Sequence, residues 1–344
     1  MRPLFLPALL LVFSSFWLQG QTAMPSQPAL PTIAEVNALL DRGDADQALA
    51  QLNRIAAARK NEKGLAHLFG VAYFKQAEYA KAVDHLERAI AENSDDKEST
   101  QLLGLCYFFT GRPKQAIPLL EKVQSWLPRA NVDAAYVLGV SYIQTSQYDA
   151  ARRAFAAMYG VPPESAAAHL FNARMLLRQG FDPVAEQEAK AAIATDSHLP
   201  MAHKLLGDLY MFKSRIPEAI TELEAEITID PGYAASYYTL ADAYTRVGRY
   251  DDAERLLQRS IWLDSSASGP YVLMAKVLLR KHESVLAVRS AQQALRMDPN
   301  NSMAHYLLGQ AYRDMGKGDD AEREMKIAQQ LQSAHDSKAE LQNP

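Results

Sequence analysis

The sequence predicts an all-α chain folded as an α-solenoid of about nine helix–turn–helix repeats. Three observations predict it: a period of about 34 residues, a column that is alanine in every repeat, and apolar residues at three- and four-residue steps. In the unit Pro200–Tyr233, Leu206, Leu209 and Tyr210 share one helical face, and Ala219, Ile220, Leu223 and Ile227 share another. Asp230-Pro231 ends the second run, because proline disfavours helical geometry in the residue before it. The same outline returns in units starting near 29, 63, 97, 132, 166, 200, 234, 268 and 302, with one extra residue near Asn131.

The columns justify each element. Ala48, Ala82, Ala116, Ala151, Ala185, Ala219, Ala253, Ala287 and Ala321 share one place in the second helices. Val36, Gly70, Gly104, Gly139, Ala173, Gly207, Ala241, Ala275 and Gly309 form a notch in the first helices. Small residues at both places let two helices approach closely, where a larger side chain would cost about 1–3 kcal/mol in strain. Three residues past the notch stand Tyr73, Tyr107, Tyr142, Tyr210, Tyr244 and Tyr312, large enough to supply much of the area buried between units. The turn within each unit carries Gly43, Gly111, Gly180, Gly248 and Gly316, or Ala77, Ser146, Ser214 and His282, at a place that suits a left-handed helix end.

The motif L-G-x-x-Y, as in Leu206-Gly207-Asp208-Leu209-Tyr210, with alanine nine positions on and closing prolines at Pro128, Pro163, Pro231 and Pro299, resembles the tetratricopeptide repeat family. The resemblance covers nearly the whole chain beyond residue 28. Two features depart from it: His169, His203, His305, Tyr237 or Tyr271 stand where a tryptophan is usual, and Glu35-Val36 replaces Leu-Gly in the first unit. The resemblance implies a right-handed solenoid whose first helices line a concave, ligand-holding surface, through the second, fifth, ninth, twelfth and thirteenth places of each unit. In units two to four those places hold an apolar wall that includes Val71, Phe74, Leu105, Phe108, Phe109, Tyr136, Val140 and Ile143. In units five to nine they hold a mainly basic set, Arg174, Arg178, Lys204, Tyr238, Arg246, Lys276, Arg280, Tyr306 and Arg313, with Asp208 and Asp242 among them. Arginine can grip a carboxylate through two parallel hydrogen bonds. The lysine–asparagine–lysine–arginine clamp of the family's cytosolic chaperone-binding members is not completed, since Asp208 stands where Lys204 would need an asparagine partner.

Composition narrows the function. The net charge of −4 disfavours indiscriminate nucleic-acid binding, and no H-E-x-x-H, C-x-x-C, G-x-S-x-G or G-x-x-x-x-G-K motif is present. The one cysteine, Cys106, reads as a small buried hydrophobe, and the histidines sharing a column read as packing groups, not metal ligands. No catalytic residue, cofactor or metal is expected. Residues 1–20, with Arg2 before the apolar run Leu4–Leu18, read as a signal peptide cut near 20–23, since the run is shorter than a membrane span needs. Residues 21–28 read as a proline-rich linker, 29–335 as the array and 336–344 as a polar tail. The function expected is an exported, non-enzymatic scaffold, in a bacterial periplasm or outside the cell, that holds a protein or peptide in its groove. The alternatives are a self-assembling envelope component and an adaptor anchored by residues 4–18.

Overall fold

In the computed structural model, residues 30–59, 62–126 and 132–342 are described, so the expected leader and linker lie outside the described residues. The described residues form eighteen α-helices in nine consecutive pairs. The first pairs are α1 (Ile33–Arg42) with α2 (Ala45–Ala58), α3 (Leu65–Lys75) with α4 (Tyr79–Glu92), and α5 (Lys97–Phe109) with α6 (Pro113–Trp126). Then come α7 (Val132–Gln144) with α8 (Tyr148–Tyr159), α9 (Ala166–Arg178) with α10 (Asp182–Thr195), and α11 (Ala202–Phe212) with α12 (Ile216–Ile229). The last are α13 (Ala234–Arg246) with α14 (Tyr250–Leu263), α15 (Ser268–Arg280) with α16 (Ser284–Met297), and α17 (Ser302–Asp314) with α18 (Gly318–Gln342).

The chain divides after Ser99 into two compact units. The first is opened by a capping box, in which Thr32 accepts from the Glu35 N–H and Glu35 accepts from the Thr32 N–H. Its core is built from Val36, Leu52, Ile55, Leu68, Val83 and Leu86. The second, from Thr100, stacks each helix pair on the next. Leu206, Leu223, Leu240, Leu257 and Val277 run through its core, and α11 adjoins α13, α13 adjoins α15 and α15 adjoins α17.

The column logic is visible atom by atom. All nine alanines of the invariant column are buried. A side-chain carbon added at the notch of Gly70, Gly104, Gly139, Gly207 or Gly309 would fall within 3 Å of Leu86, Leu120, Phe155, Leu223 or Met325, each sixteen residues on. Where the notch is Ala173 or Ala275, the residue sixteen on is itself small, Ala189 or Ala291, whereas sixteen on from Ala241 stands Leu257. All nine turn residues have left-handed backbones, from Gly43 at φ 85° to Ala77, Ser146, Ser214 and His282 near 60°.

From Thr100 onward, each pair is also bridged to the next by polar groups. Tyr142 donates to Glu121, Arg152 to Glu188 at 2.9 Å and Lys213 to Glu186 at 3.1 Å. Tyr244 donates to Glu224, Lys281 to Glu254 at 2.6 Å, and Gln292 to the Tyr312 hydroxyl at 3.2 Å. Several column tyrosines also carry a cation on the ring from five residues on: Arg112 over Tyr107, Arg215 over Tyr210, Arg249 over Tyr244 and Lys317 over Tyr312.

Helix α18 runs through residue 336 to Gln342, because no glycine or proline interrupts the sequence after Gly318 until Pro344. Among the described residues no helix is long and apolar enough to cross a membrane.

Candidate partner-binding face

The first helices of the last three pairs place matching positions side by side. Tyr238 and Asp242 from α13, Val272, Lys276, Leu279 and Arg280 from α15, and Met303, Tyr306, Gln310, Arg313 and Asp314 from α17 line one open cavity of about 750 Å³. On each helix the lining residues recur at three- and four-residue steps, so a single face is presented. Five residues expected from the sequence, Tyr238, Lys276, Arg280, Tyr306 and Arg313, meet here.

The cavity's charges are unevenly matched. Asp242 is held by Arg246 at 2.9 Å on the same helix, so Arg246 stands beside the cavity while its partner lines it. Lys276 and Arg280 are exposed, and neither has an ion-pair partner among the described residues. Arg313 donates to the Met325 sulfur at 2.7 Å, Asp314 accepts from the Ser284 hydroxyl at 3.4 Å and Tyr306 accepts from Gln310 at 2.8 Å. The Tyr238 ring lies against α15, 3.6 Å from where a side chain on Gly269 would begin, an ordinary packing distance. Burial, followed by the Asp242 carboxylate, pushes the Tyr238 phenol above its ordinary value and keeps it a donor.

The other expected residues lie elsewhere. Arg174 and Arg178 are exposed on α9, again without ion-pair partners among the described residues. Lys204 is buried and bound to Asp208 at 2.5 Å, while its own backbone N–H donates to Glu226. Phe74 is half-buried edge-on to Tyr79 at 5.6 Å, and Tyr136 is half-buried 6.3 Å from Phe155. Phe108 is half-buried and meets the exposed Phe109 at 5.6 Å. Val71, Leu105, Val140 and Ile143 are buried, so those four members of the expected apolar wall present no open surface. Sequence reasoning missed Phe212, which is 79% exposed at the end of α11. Its signal was its place, the one held by Arg178, Arg246 and Arg280 in other units.

The remaining reactive groups are engaged in structure. His169, His203 and His305 pair through Nδ1 with Glu188, Glu222 and Glu324, each nineteen residues on, at 2.6, 2.7 and 2.6 Å. Each ring thus ties the two helices of its own pair together, which accounts for the shared column. In the first compact unit, His67 Nδ1 lies 2.9 Å from Asp96 and 3.0 Å from Ser99, beside a cavity of about 510 Å³. Burial pushes the Cys106 thiol up to about 12, leaving it protonated and inert. No cluster of metal-ligating residues occurs among the described residues.

Tetratricopeptide repeat models match residues 29–54, 136–200, 213–261 and 290–323, and the model described as anaphase-promoting complex, cyclosome, subunit 3 matches 85–158. No curated protein matches the chain. Among solved structures, MamA from Desulfovibrio magneticus RS-1 is 16% identical with a TM-score of 0.47, over 50% of this chain and 97% of that one. YrrB, described as a TPR protein with an unusual peptide-binding site, is 19% identical with a TM-score of 0.46, over 53% and 93%. PilF of Pseudomonas aeruginosa is 20% identical with a TM-score of 0.46, over 59% and 97%. Likenesses this distant carry nothing about what this chain binds. The repeat models matched along the chain agree with the helix pairs, the notch and the invariant alanine column, and the chain belongs to the tetratricopeptide repeat family.

Proposed function

We propose that the chain is a non-enzymatic interaction scaffold that holds an extended segment of a partner protein across the first helices of its later pairs. The observation that carries this reading is the open cavity in which Tyr238, Lys276, Arg280, Tyr306 and Arg313 converge from three successive pairs. Interface hot spots favour aromatic and arginine side chains, and unpaired surface cations bind acidic groups without first breaking an internal ion pair. The leader-like residues 1–20 support export, and a periplasmic or extracellular scaffold is the reading that fits them.

Cross-linking pull-down from envelope extract tests the scaffold, using the full chain and a variant carrying Arg178→Glu, Arg246→Glu and Arg280→Glu. A partner captured by the first and lost with the second supports the face described here. Equal capture by both rules that face out. Mass spectrometry of the mature N-terminus tests export: a start near residues 21–24 supports it, and an intact leader supports the anchored adaptor.

A second reading has its own observation. Met303, Tyr306, Met325 and Ala328 line a further cavity of about 440 Å³ on the last helix pair, an apolar surface that suits contact between copies. A molar mass in solution equal to one chain excludes that reading.

A further inference from the structure

Two rows of side chains run along the first helices of the later pairs, at the ninth and thirteenth places of each unit. The ninth-place row reads Arg174, Asp208, Asp242, Lys276, Gln310, and the thirteenth-place row reads Arg178, Phe212, Arg246, Arg280, Asp314. On α9 both places hold cations, and on α15 both do again. All four are exposed and lack ion-pair partners among the described residues. Between them the charge is cancelled within each helix: Asp208 holds Lys204 at 2.5 Å, and Asp242 holds Arg246 at 2.9 Å. This neutral stretch instead shows aromatic surface, Phe212 at 79% exposed and Tyr238 at 36%.

We infer that the partner segment is a bipartite acidic peptide: two acidic clusters separated by about eight or nine extended residues, with an apolar side chain between them. This rests on the proposed role of this face in holding a partner. The spacing follows from geometry. Packed helices lie about 8–10 Å apart, as α11 lies to α13 and α13 to α15; with a step of similar size from α9 to α11, three steps span roughly 25–30 Å. An extended chain advances about 3.3 Å per residue and covers that distance in eight or nine residues. Phe212 stands one step from α9, so the apolar residue falls about three residues from one cluster and six from the other. A continuous polyanion such as a nucleic acid fits poorly, because between α9 and α15 the two rows offer its phosphates no cation that is not already held by an aspartate.

Fluorescence anisotropy with the full chain and labelled synthetic peptides tests the inference. The reference probe carries two Glu-Glu pairs about eight residues apart with a leucine between them. The comparison probes have the spacer cut to about three residues, one Glu pair removed, or an oligothymidine of similar length in place of the peptide. The reference probe is expected to bind about tenfold tighter than every comparison probe. Arg178→Glu and Arg280→Glu should each weaken it about tenfold, and Phe212→Ala about threefold. These side chains are exposed, so an unchanged melting temperature shows that each variant is folded. Equal binding of the short-spacer peptide, or loss with only one of the two arginine variants, overturns the bipartite inference while leaving the face as the binding site. Equal or tighter binding of the oligothymidine overturns the peptide class. No peptide binding, with the pulled-down partner still lost from the triple variant, overturns the acidic class alone. Retention of that partner by the triple variant overturns the underlying scaffold face.

Discussion

Helices α7 and α15 occupy equivalent places in their pairs, yet their ninth residues meet opposite surroundings. Val140 on α7 is 2% exposed, while Lys276 on α15 is exposed and lines the open cavity. At the twelfth place Ile143 is fully buried, while Leu279 is only half-buried. One backbone template therefore serves either as core or as the lining of an open cavity, and the residue type installed at two or three places goes with the difference. The repeat position alone does not decide exposure.

The sharpest way to break this comparison is to exchange the residues. Val140→Lys should cost about 3 kcal/mol or more, because an unpaired ammonium would be forced into the core. Lys276→Val should shift stability by about 0.5 kcal/mol or less while weakening partner capture. Chemical denaturation of both variants checks this, and comparable losses would mean that the two faces are alike.

A middle-sized effect concerns the joint beside α9 and α10. Glu186 accepts from Lys190, Lys213 and Arg215, and those hydrogen bonds, that from Lys190 foremost, hold its carboxyl down at about 2. A carboxyl depressed in the folded state lends stability above its unfolded value near 4.5, and that stability is lost as pH falls toward 2. Glu186→Gln should therefore lower stability by about 1–3 kcal/mol at pH 7 and flatten the loss between pH 4.5 and 2. Urea titrations at several pH values read both effects.

The smallest effects lie in the turns. Ala77, Ser146, Ser214 and His282 hold left-handed backbones that five other units assign to glycine. Replacing any one with glycine should stabilise by up to about 1 kcal/mol, net of glycine's greater freedom in the unfolded chain. Differential scanning calorimetry would show the rise in Tm.

Much of this was legible in the sequence because a repeat reports each contact many times. Nine alanines in one column, and nine turn residues at one place, mark the helix pairs in the sequence itself. The half of the candidate face around Tyr238, Lys276, Arg280, Tyr306 and Arg313 was legible for the same reason. Burial was less so, because whether Val140 or Leu105 lies open depends on how closely neighbouring helices meet, and no column records that distance. Lys204 was expected to face the groove, but it is buried and held by Asp208, one helical turn away. Phe212 went unread because an exposed phenylalanine breaks the pattern that marks apolar residues as core. The histidine column was visible, yet its glutamate partners became plain only when the second helices were laid against the first.

The polar bridges between successive pairs have a further consequence, for folding fidelity. A chain of near-copies risks docking one unit against the wrong neighbour, or against the same unit of another molecule, a failure typical of repeat proteins. From Thr100 onward the joints use several kinds of bridge: tyrosine to glutamate at Tyr142, arginine to glutamate at Arg152, both tyrosine and lysine to glutamate at Tyr210 and Lys213, tyrosine to glutamate at Tyr244, lysine to glutamate at Lys281, and glutamine to tyrosine at Gln292. A pair slipped by one place would set Glu121 opposite Leu176 in place of the Tyr142 hydroxyl, and would leave its carboxylate without that donor. Where a bridge is of a kind its neighbours lack, as Arg152 to Glu188 and Gln292 to Tyr312 are, it marks one joint apart from the next along an otherwise repetitive chain.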